Sequence, residues 1–473
     1  MTNRFFCVHG HFYQPPREDP FTGLIPPEPG ASPYQNWNER IHAECYRPNA
    51  ELANFERISF NIGPTLFAWM RQFDPATCRL ILAQDRANVR QYGIGNAIAQ
   101  SYNHTILPLS PYMDKVTQVR WGIADFVHQF GRKPQGMWLP EAAVDLETLQ
   151  ILADHGITFT ILAPWQADRD TIDPTEPYRV KLAEGSSINV FFYHRELSSG
   201  VSFNPAVTNN ADAFTTSYLL PSYLAEKDQR QEPQLLLVAS DGELYGHHQP
   251  FRDYFLSHLL NGASEHAGLM PIYPGLWLQR YPVRKDVEIR ENTSWSCLHG
   301  VTRWNGTCAC TPGDGRWKGY FRNAFIRLAA ELEIAYANGV NPYGIDPWEL
   351  RHRYIHVLLG DISVEELINE AAHRVLTKED NQRIQLLLRA QFERQRMFTS
   401  CGWYFDDFDR IEPKNNVAYA VNAIQLTRQA AGIDLSAQAM TDLRLVVSHR
   451  SGLRGDVVFQ RHLLRAQGLS SST

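Results

Sequence analysis

The sequence predicts an α/β fold, a distorted (β/α)7-like barrel followed by a C-terminal helical domain. Three observations predict it. Seven short apolar runs alternate with amphipathic stretches through residues 1–285. Chemistry-bearing side chains follow nearly every one of those runs. In the last third the apolar residues change to helical spacing.

The apolar runs, read as strands, are residues 4–8, 58–62, 97–99 (the weakest), 136–139, 158–162, 188–193 and 235–239. Helical patterns lie between them, for example at 110–130, 146–155, 211–225 and 251–263. Strands separated by helices indicate βαβ units and a parallel sheet, and about seven such units in one run indicate a barrel. Further on, Phe321, Phe325, Leu328, Leu332 and Tyr336 fall at spacings of four, three, four and four, one face of a helix that Gly339 is placed to end. Thr377 and Asp380 resemble a helix start, with Ile384, Leu387, Leu388 and Phe392 on one face beyond it. The expected organisation is a catalytic barrel over 1–285, an irregular Trp- and Cys-rich junction over 286–315, and a helical domain over 316–473 ending in a frayed GLSSST tail.

Composition narrows the class. Hydrophobic residues make up 44% and charged residues 20% of the 473, which excludes disordered, collagen-like and coiled-coil chains. Lys+Arg total 45 against Asp+Glu 51, so there is no basic excess of the kind that marks a nucleic-acid partner. No run approaches the roughly 18 apolar residues of a membrane span, and MTNRFFCVHGHF has no long apolar segment of the signal-peptide kind. Seven cysteines, at 7, 45, 78, 297, 308, 310 and 401, are too few and too scattered for a disulfide framework. A reduced, cytoplasmic protein is expected, with its oligomeric state left open.

In a (β/α) barrel the chemistry gathers where strands end. The first strand is followed by His9, Gly10, His11, Phe12, Tyr13 and Gln14, the second ends at Asn61, and Gln100 and His104 follow the third. The fourth runs into Trp138, Leu139, Pro140 and Glu141, the fifth ends near Trp165, the sixth at His194, and the seventh at Asp241, Glu243, His247 and His248. A single His or Glu in such a place is ordinarily a hydrogen-bonded structural residue or a solvated loop charge. Their recurrence over seven strands points to an active site.

Glu141 and Asp241 stand out because each directly follows a strand. A glycosidase needs one carboxylate as nucleophile or base and one carboxylic acid to protonate the leaving oxygen. A second chemistry fits the same inventory. His9, His11, His104, Asp241, His247 and His248 could hold a divalent metal that activates water against an N-acetyl or ester group, as in a metal-dependent carbohydrate deacetylase. A third reading is a non-catalytic glucan-binding protein, which the retention of both carboxylates disfavours.

These motifs resemble glycoside hydrolase family 57, a family of α-amylases, 4-α-glucanotransferases and branching enzymes that retain anomeric configuration. His11-Phe12-Tyr13-Gln14-Pro15 resembles its first conserved region, and His104-Thr105-Ile106-Leu107-Pro108-Leu109 its second. Gly136-Met137-Trp138-Leu139-Pro140-Glu141 resembles the third, G-x-W-x-x-E, and the run from Asp241 to His247 the fourth, D-x-E-x-(F/Y)-G-H. The last two are the specific ones. The resemblance implies Glu141 as nucleophile and Asp241 as general acid/base, with no cofactor and no metal. It implies an oligo- or polysaccharide of α-linked glucose as partner. His11, His104 and Glu243 would bind substrate or tune charge.

Around these, His9, Gln14, Trp138, Trp165, His194 and His247 at strand ends are expected to line a sugar cleft, together with Trp295, His299, Trp304 and Asp406 from further on. Aromatic residues make up 12% of the chain, including 11 Trp, and Trp295, Trp304 and Trp317 cluster in and beside the junction, where sugar stacking and plain domain packing would use Trp alike. Two segments depart from the amylase-type pattern. One is the stretch from Trp295 to Cys310. The other, from Phe398 to Asp407, resembles a branch of the family with a divergent C-terminal part. Cys297-x-His299 and Cys308-x-Cys310 offer four soft ligands within fourteen positions, a structural-zinc set whose spacing is tighter than the common C-x2-C. Inert buried cysteines beside a substrate-facing His299 are the other reading.

Overall fold

The computed structural model describes residues 3–468, so residues 469–473 of the expected frayed tail lie outside the described residues. Among the described residues ten strands occur in chain order: β1 (Arg4–Phe12), β2 (Ser59–Ile62), β3 (Ala99–Gln100), β4 (Met137–Trp138), β5 (Phe159–Leu162), β6 (Tyr178–Lys181), β7 (Ser187–Phe192), β8 (Gln234–Asp241), β9 (Met270–Pro271) and β10 (Lys285–Asp286). The chain divides into two compact units. The first comprises residues 1–14, 27–102 and 126–295, and the second 15–26, 103–125 and 296–473. The linear reading left 15–26 and 103–125 with the barrel.

In the first unit β1 is the hub. It pairs in parallel with β8 along nearly its whole length, with β2 at its C-terminal half and with β9 near its start. Parallel ladders also join β3 to β4 and β5 to β7. Isolated parallel bridges, Phe60↔Ala97 and Gly136↔Phe159, connect these ladders. The His194 N–H donates to Leu237 O at 2.7 Å, joining the end of β7 to β8. The order β8-β1-β2-β3-β4-β5-β7 is the expected seven-strand barrel, with seams held by single bridges rather than continuous ladders. The β6 strand, absent from the sequence reading, runs antiparallel to β7 and lies outside this order with β10.

Strand side chains alternate with a period of two, so every second residue faces the same way. On β1 the residues Phe5, Cys7, His9 and His11 share a face, and on β8 Leu235, Leu237, Ala239 and Asp241 do. The lower members, together with Phe159, Ile161, Phe191 and Trp138, form one buried apolar cluster. The upper members are polar. Thus each strand fills the interior at its N-terminal end and presents chemistry at its C-terminal end.

Two expected helices are interrupted. The 211–225 stretch breaks into Ala211–Phe214, a π turn at Thr215–Leu219 and a 3-10 turn at Leu220–Ser222, because Pro221 has no N–H for a continuing ladder. The 251–263 stretch starts at Arg252, after Phe251 in a left-handed conformation, and ends in the π turn Leu259–Ala263.

The second unit is helical, built on α1 (Arg316–Val340), α2 (Lys378–Arg396) and α3 (Ile411–Ala431). The predicted faces of α1 and α2 are its core. Phe321, Phe325, Leu328, Leu332 and Tyr336 are buried, as are Ile384, Leu387 and Leu388. Thr377 caps α2, its hydroxyl accepting from Asp380 N–H at 3.1 Å. Gly339 does not end α1. It lies inside the helix, where an added Cβ would fall 2.4 Å from Leu387 Cδ1, so its small size serves the packing of α1 on α2. Buried Asp114 is held by Arg394 at 2.8 Å and Arg351 at 3.0 Å. Among the described residues, no helix is long and apolar enough to cross a membrane.

Candidate active site

The β1–β2 and β1–β8 registers place His11 between Asn61 and Asp241 at the C-terminal ends of three neighbouring strands. His9, two residues earlier, is fully buried. Its Nδ1 lies 2.9 Å from Ser59 Oγ and its Nε2 3.2 Å from Asn61 Oδ1. Asn61 donates to His11 Nδ1 at 2.9 Å and to Gln100 Oε1 at 2.7 Å. With Asn61 Nδ2 donating to His11 Nδ1 and Asn61 Oδ1 accepting from His9 Nε2, both rings carry their proton on Nε2. Burial first, and for His9 the neighbouring His11, lower both to about 3, so both rings are neutral at working pH. Trp138 stacks on them, with ring centroids 4.8 Å from His9 and 5.1 Å from His11.

Glu141 follows β4 in a turn opened by Pro140. Its backbone is left-handed, φ 58°, as is that of Ala142, φ 46°. Non-glycine residues rarely adopt this conformation, and it concentrates where a side chain must be aimed. Trp295 grips the turn twice. Its N–H donates to Glu141 O at 2.9 Å, and its indole Nε1 donates to Glu141 Oε2 at 3.1 Å. The same indole stands edge-on to Trp138, at 4.9 Å, and to His11, at 6.3 Å.

Asp241 closes β8. Its side chain is open to solvent, yet enough protein surrounds it that desolvation dominates its titration. Desolvation and then the Glu141 charge raise it to about 7. The two carboxyl groups therefore interact across the strand ends. Glu243 is buried beneath. Tyr46 OH donates to its Oε1 at 2.7 Å and Tyr13 N–H at 3.0 Å. Desolvation and the Asp241 charge raise Glu243 to about 8, while the Tyr46 and backbone donors oppose that rise. Glu243 thus ties the loop after β8 to the chain leaving β1.

The other expected residues of this unit occupy defined places. Trp165 is half-buried, its Nε1 donating to Ser294 O at 3.0 Å, with the Arg195 guanidinium over its ring. His194 caps the helix Arg195–Phe203, its Nδ1 accepting from Leu197 N–H at 3.4 Å. His247 Nδ1 pairs with Glu44 at 2.5 Å. Gln14 accepts from the Thr65 hydroxyl through its backbone oxygen and meets Tyr46 through its side chain. With both His9 nitrogens used by Ser59 and Asn61 and His247 held by Glu44, the histidine-rich metal set is not assembled. Among the described residues, the one His/Cys/Asp/Glu group with ligand atoms close enough to hold a metal is Cys297, His299, Cys308 and Cys310.

The remaining four lie in the second unit. His104 has a left-handed backbone, φ 54°, and its Nδ1 lies 2.6 Å from Ser400 Oγ. His299 belongs to the cysteine cluster. Trp304 is fully buried, and its carbonyl accepts from Arg322 Nε at 2.6 Å. Asp406 is paired with Arg450, and its carbonyl accepts from Trp317 Nε1 at 3.3 Å. The sequence reading did not pick out Ser59 or Tyr46. Period two on β2 ties Ser59 to Asn61 and makes it recoverable. Tyr46 lies in a helical run between β1 and β2 that carries no signal of its link to Glu243.

Two family models match the chain. The family model described as Glycosyl hydrolase family 57 matches residues 32–274, and the model described as Domain of unknown function (DUF3536) matches residues 314–469. No curated protein matches the sequence. Among solved structures, the chain is similar to an exo-type maltose-forming amylase from Pyrococcus sp. ST04, with a TM-score of 0.77 and 17% identity over 93% of this chain and 83% of that one. It is similar to a branching enzyme from Pyrococcus horikoshii, with a TM-score of 0.62 and 15% identity over 99% and 95%. It is also similar to a 4-alpha-glucanotransferase from Thermococcus litoralis, with a TM-score of 0.57 and 15% identity over 90% of this chain and 60% of that one. At such identities the likeness is one of fold.

Proposed function

The chain belongs to glycoside hydrolase family 57, whose model spans more than half of it, and on that premise we propose that it is a retaining glycosidase or transglycosylase of α-1,4-linked glucans, with Glu141 as nucleophile and Asp241 as general acid/base. The observation that carries this reading is the unequal environment of the two carboxyl groups. Asp241 holds its proton to about 7 against the charge of Glu141, while the Trp295 indole donates to the Glu141 carboxylate. One group is thereby prepared to give a proton and the other to attack.

Glu141 attacks the anomeric carbon as Asp241 protonates the departing glycosidic oxygen, giving a glycosyl ester on Glu141. Asp241, now ionised, removes a proton from water or from an acceptor sugar hydroxyl, and that oxygen displaces Glu141. Two inversions give net retention, which requires the carboxyl groups about 5–5.5 Å apart. Half-buried Trp295 offers its aromatic edge to apolar ring surfaces, with buried Trp138 and the neutral His11 packed behind it. The maltose-forming amylase, branching enzyme and 4-alpha-glucanotransferase that share the fold support an α-glucan as substrate.

The test is azide rescue. Glu141→Ala should lose about four orders of magnitude in kcat on maltoheptaose. Azide should restore turnover and give the β-glycosyl azide, because a small anion can attack from the vacated face. Asp241→Ala should give the α-azide, formed through an intact glycosyl-enzyme. Wild-type turnover in Glu141→Ala, or the same azide anomer from both variants, would overturn the assignment.

A further inference from the structure

Beyond the carboxylate site, the loop after Trp295 carries a second constellation. Residues 296–315 contain one 3-10 turn, Thr302–Trp304, and little other regular structure. A stretch of this length without secondary structure needs another source of order. Its four soft ligands converge. Cys297 Sγ lies 3.2 Å from Cys308 Sγ, and His299 Nδ1 lies 3.9, 3.4 and 3.3 Å from the sulfurs of Cys297, Cys308 and Cys310. All four ligand atoms fall within 4.8 Å of one another, and none of the cysteines is in a disulfide.

Two of these separations, His299 Nδ1 to the Cys308 and Cys310 sulfurs, match the edges of a zinc tetrahedron, and shifts of about half an ångström or more at the other ligand atoms would bring the rest to it. With Zn–S of about 2.3 Å and Zn–N of about 2.0–2.1 Å, tetrahedral geometry puts two sulfurs about 3.8 Å apart and sulfur and nitrogen about 3.5 Å apart. We propose that Cys297, His299, Cys308 and Cys310 bind one structural Zn2+ ion that staples this loop. The tight Cys-x-His and Cys-x-Cys spacing is no obstacle, because two short chelates from separate strands of the loop supply the four corners.

The surroundings complement such a centre. Three thiolates, a neutral imidazole and Zn2+ carry a net charge of −1. The fully buried Lys318 ammonium lies in electrostatic reach of Cys308 and Cys297 and donates to Arg303 O at 3.0 Å. Arg303 in turn donates to Cys310 O at 3.3 Å. Cations and ligand-side hydrogen bonds of this kind orient and balance thiolate centres. Between the two ligand pairs, buried Trp304 accepts Arg322 on α1, so the stapled loop is seated on the helix that follows it. All four ligands are supplied, no corner is left for substrate, and the role is structural rather than catalytic.

The test uses the full chain, purified without chelator or histidine tag. Elemental analysis should find about one zinc per chain. Titration with an organomercurial should release that zinc in step with three reacting thiols, read by a chromogenic zinc indicator. Replacement of zinc by cobalt should give thiolate-to-cobalt charge-transfer absorbance. His299→Ala and Cys310→Ser, at the two less buried positions, should lose zinc to background, while His299→Cys should keep it. Background zinc in the wild type both as purified and after incubation with zinc, iron in its place, or a Cys297–Cys308 disulfide found by mass spectrometry would each overturn the proposal. None of these readouts depends on glycosidase activity.

Discussion

At the scale of single residues, the chemistry rests on how little separates Glu141 from Asp241 in type and how much in surroundings. The Trp295 indole Nε1–H donates to the Glu141 carboxylate, a hydrogen bond to a charged group worth about 1.5–3 kcal/mol. Trp295→Phe keeps the ring against Trp138 and removes only that donor. It should lower kcat/KM on maltooligosaccharides about 10- to 100-fold with an unchanged melting temperature. An unchanged rate would mean that the indole does not position the carboxylate. Asp241 sets a pH dependence of definite sign. As the proposed acid it must be protonated, so kcat/KM should fall as pH rises through about 7, and Asp241→Asn should abolish that limb along with most activity. Stability should show the opposite face of the same shift. The folded state holds the Asp241 proton to about 7, against about 3.9 when unfolded, so folding takes up a proton in between. The carboxyl's contribution to stability is fully present below pH 4 and is lost as pH rises to 7. Asp241→Asn should therefore gain more in melting temperature over wild type at pH 8 than at pH 4, measured by scanning calorimetry. An equal difference at both would show that the proton is not held.

At the scale of elements, the loop after β8 shows why a motif has the residues it has. Gly246 has φ +135°, and an added Cβ would fall 2.2 Å from the Glu44 backbone oxygen. Glu44 also meets His247, so the close approach at Gly246 and that contact fix the same loop. Gly246→Ala should lower stability by about 2 kcal/mol or more and cost activity through displacement of Asp241, checked by thermal melting and turnover together. A stable, fully active variant would show that the loop tolerates displacement. The seven barrel strands were legible because they show as short apolar runs with polar residues at or just after their ends. The β6 strand, with the sequence Tyr178-Arg179-Val180-Lys181, was not, since its apolar residues alternate with charged ones and form no apolar run. Gly339 misled because the residue that ends helices is also the residue that lets two helices touch. The placement of Glu141 after a strand could be read from the chain. Its left-handed backbone and its indole partner 154 positions away could not, because tertiary contacts impose both.

At the scale of the whole molecule, the proposed reaction's outcome separates from its first step. On the proposed assignment, attack by Glu141 and proton donation by Asp241 are common to hydrolysis, 4-α-glucan transfer and branching. The pathways part only at the glycosyl-enzyme, where Asp241 deprotonates whichever oxygen reaches the anomeric carbon. Every pathway must therefore release a first product with retained configuration. With maltoheptaose followed by NMR at early times, newly formed reducing ends or linkages should be α before mutarotation. Initial β product would exclude a double displacement at Glu141. The later distribution then reads the acceptor. Shorter sugars at constant proportion mean that water wins, whereas longer maltooligosaccharides that increase with acceptor concentration mean that sugar wins. New α-1,6 linkages from amylose mean that a 6-hydroxyl wins. Because partition at the intermediate depends on relative acceptor concentration and access, raising maltoheptaose tenfold should shift products toward transfer in proportion if water and sugar compete for one glycosyl-enzyme. A product ratio independent of concentration would show that they do not.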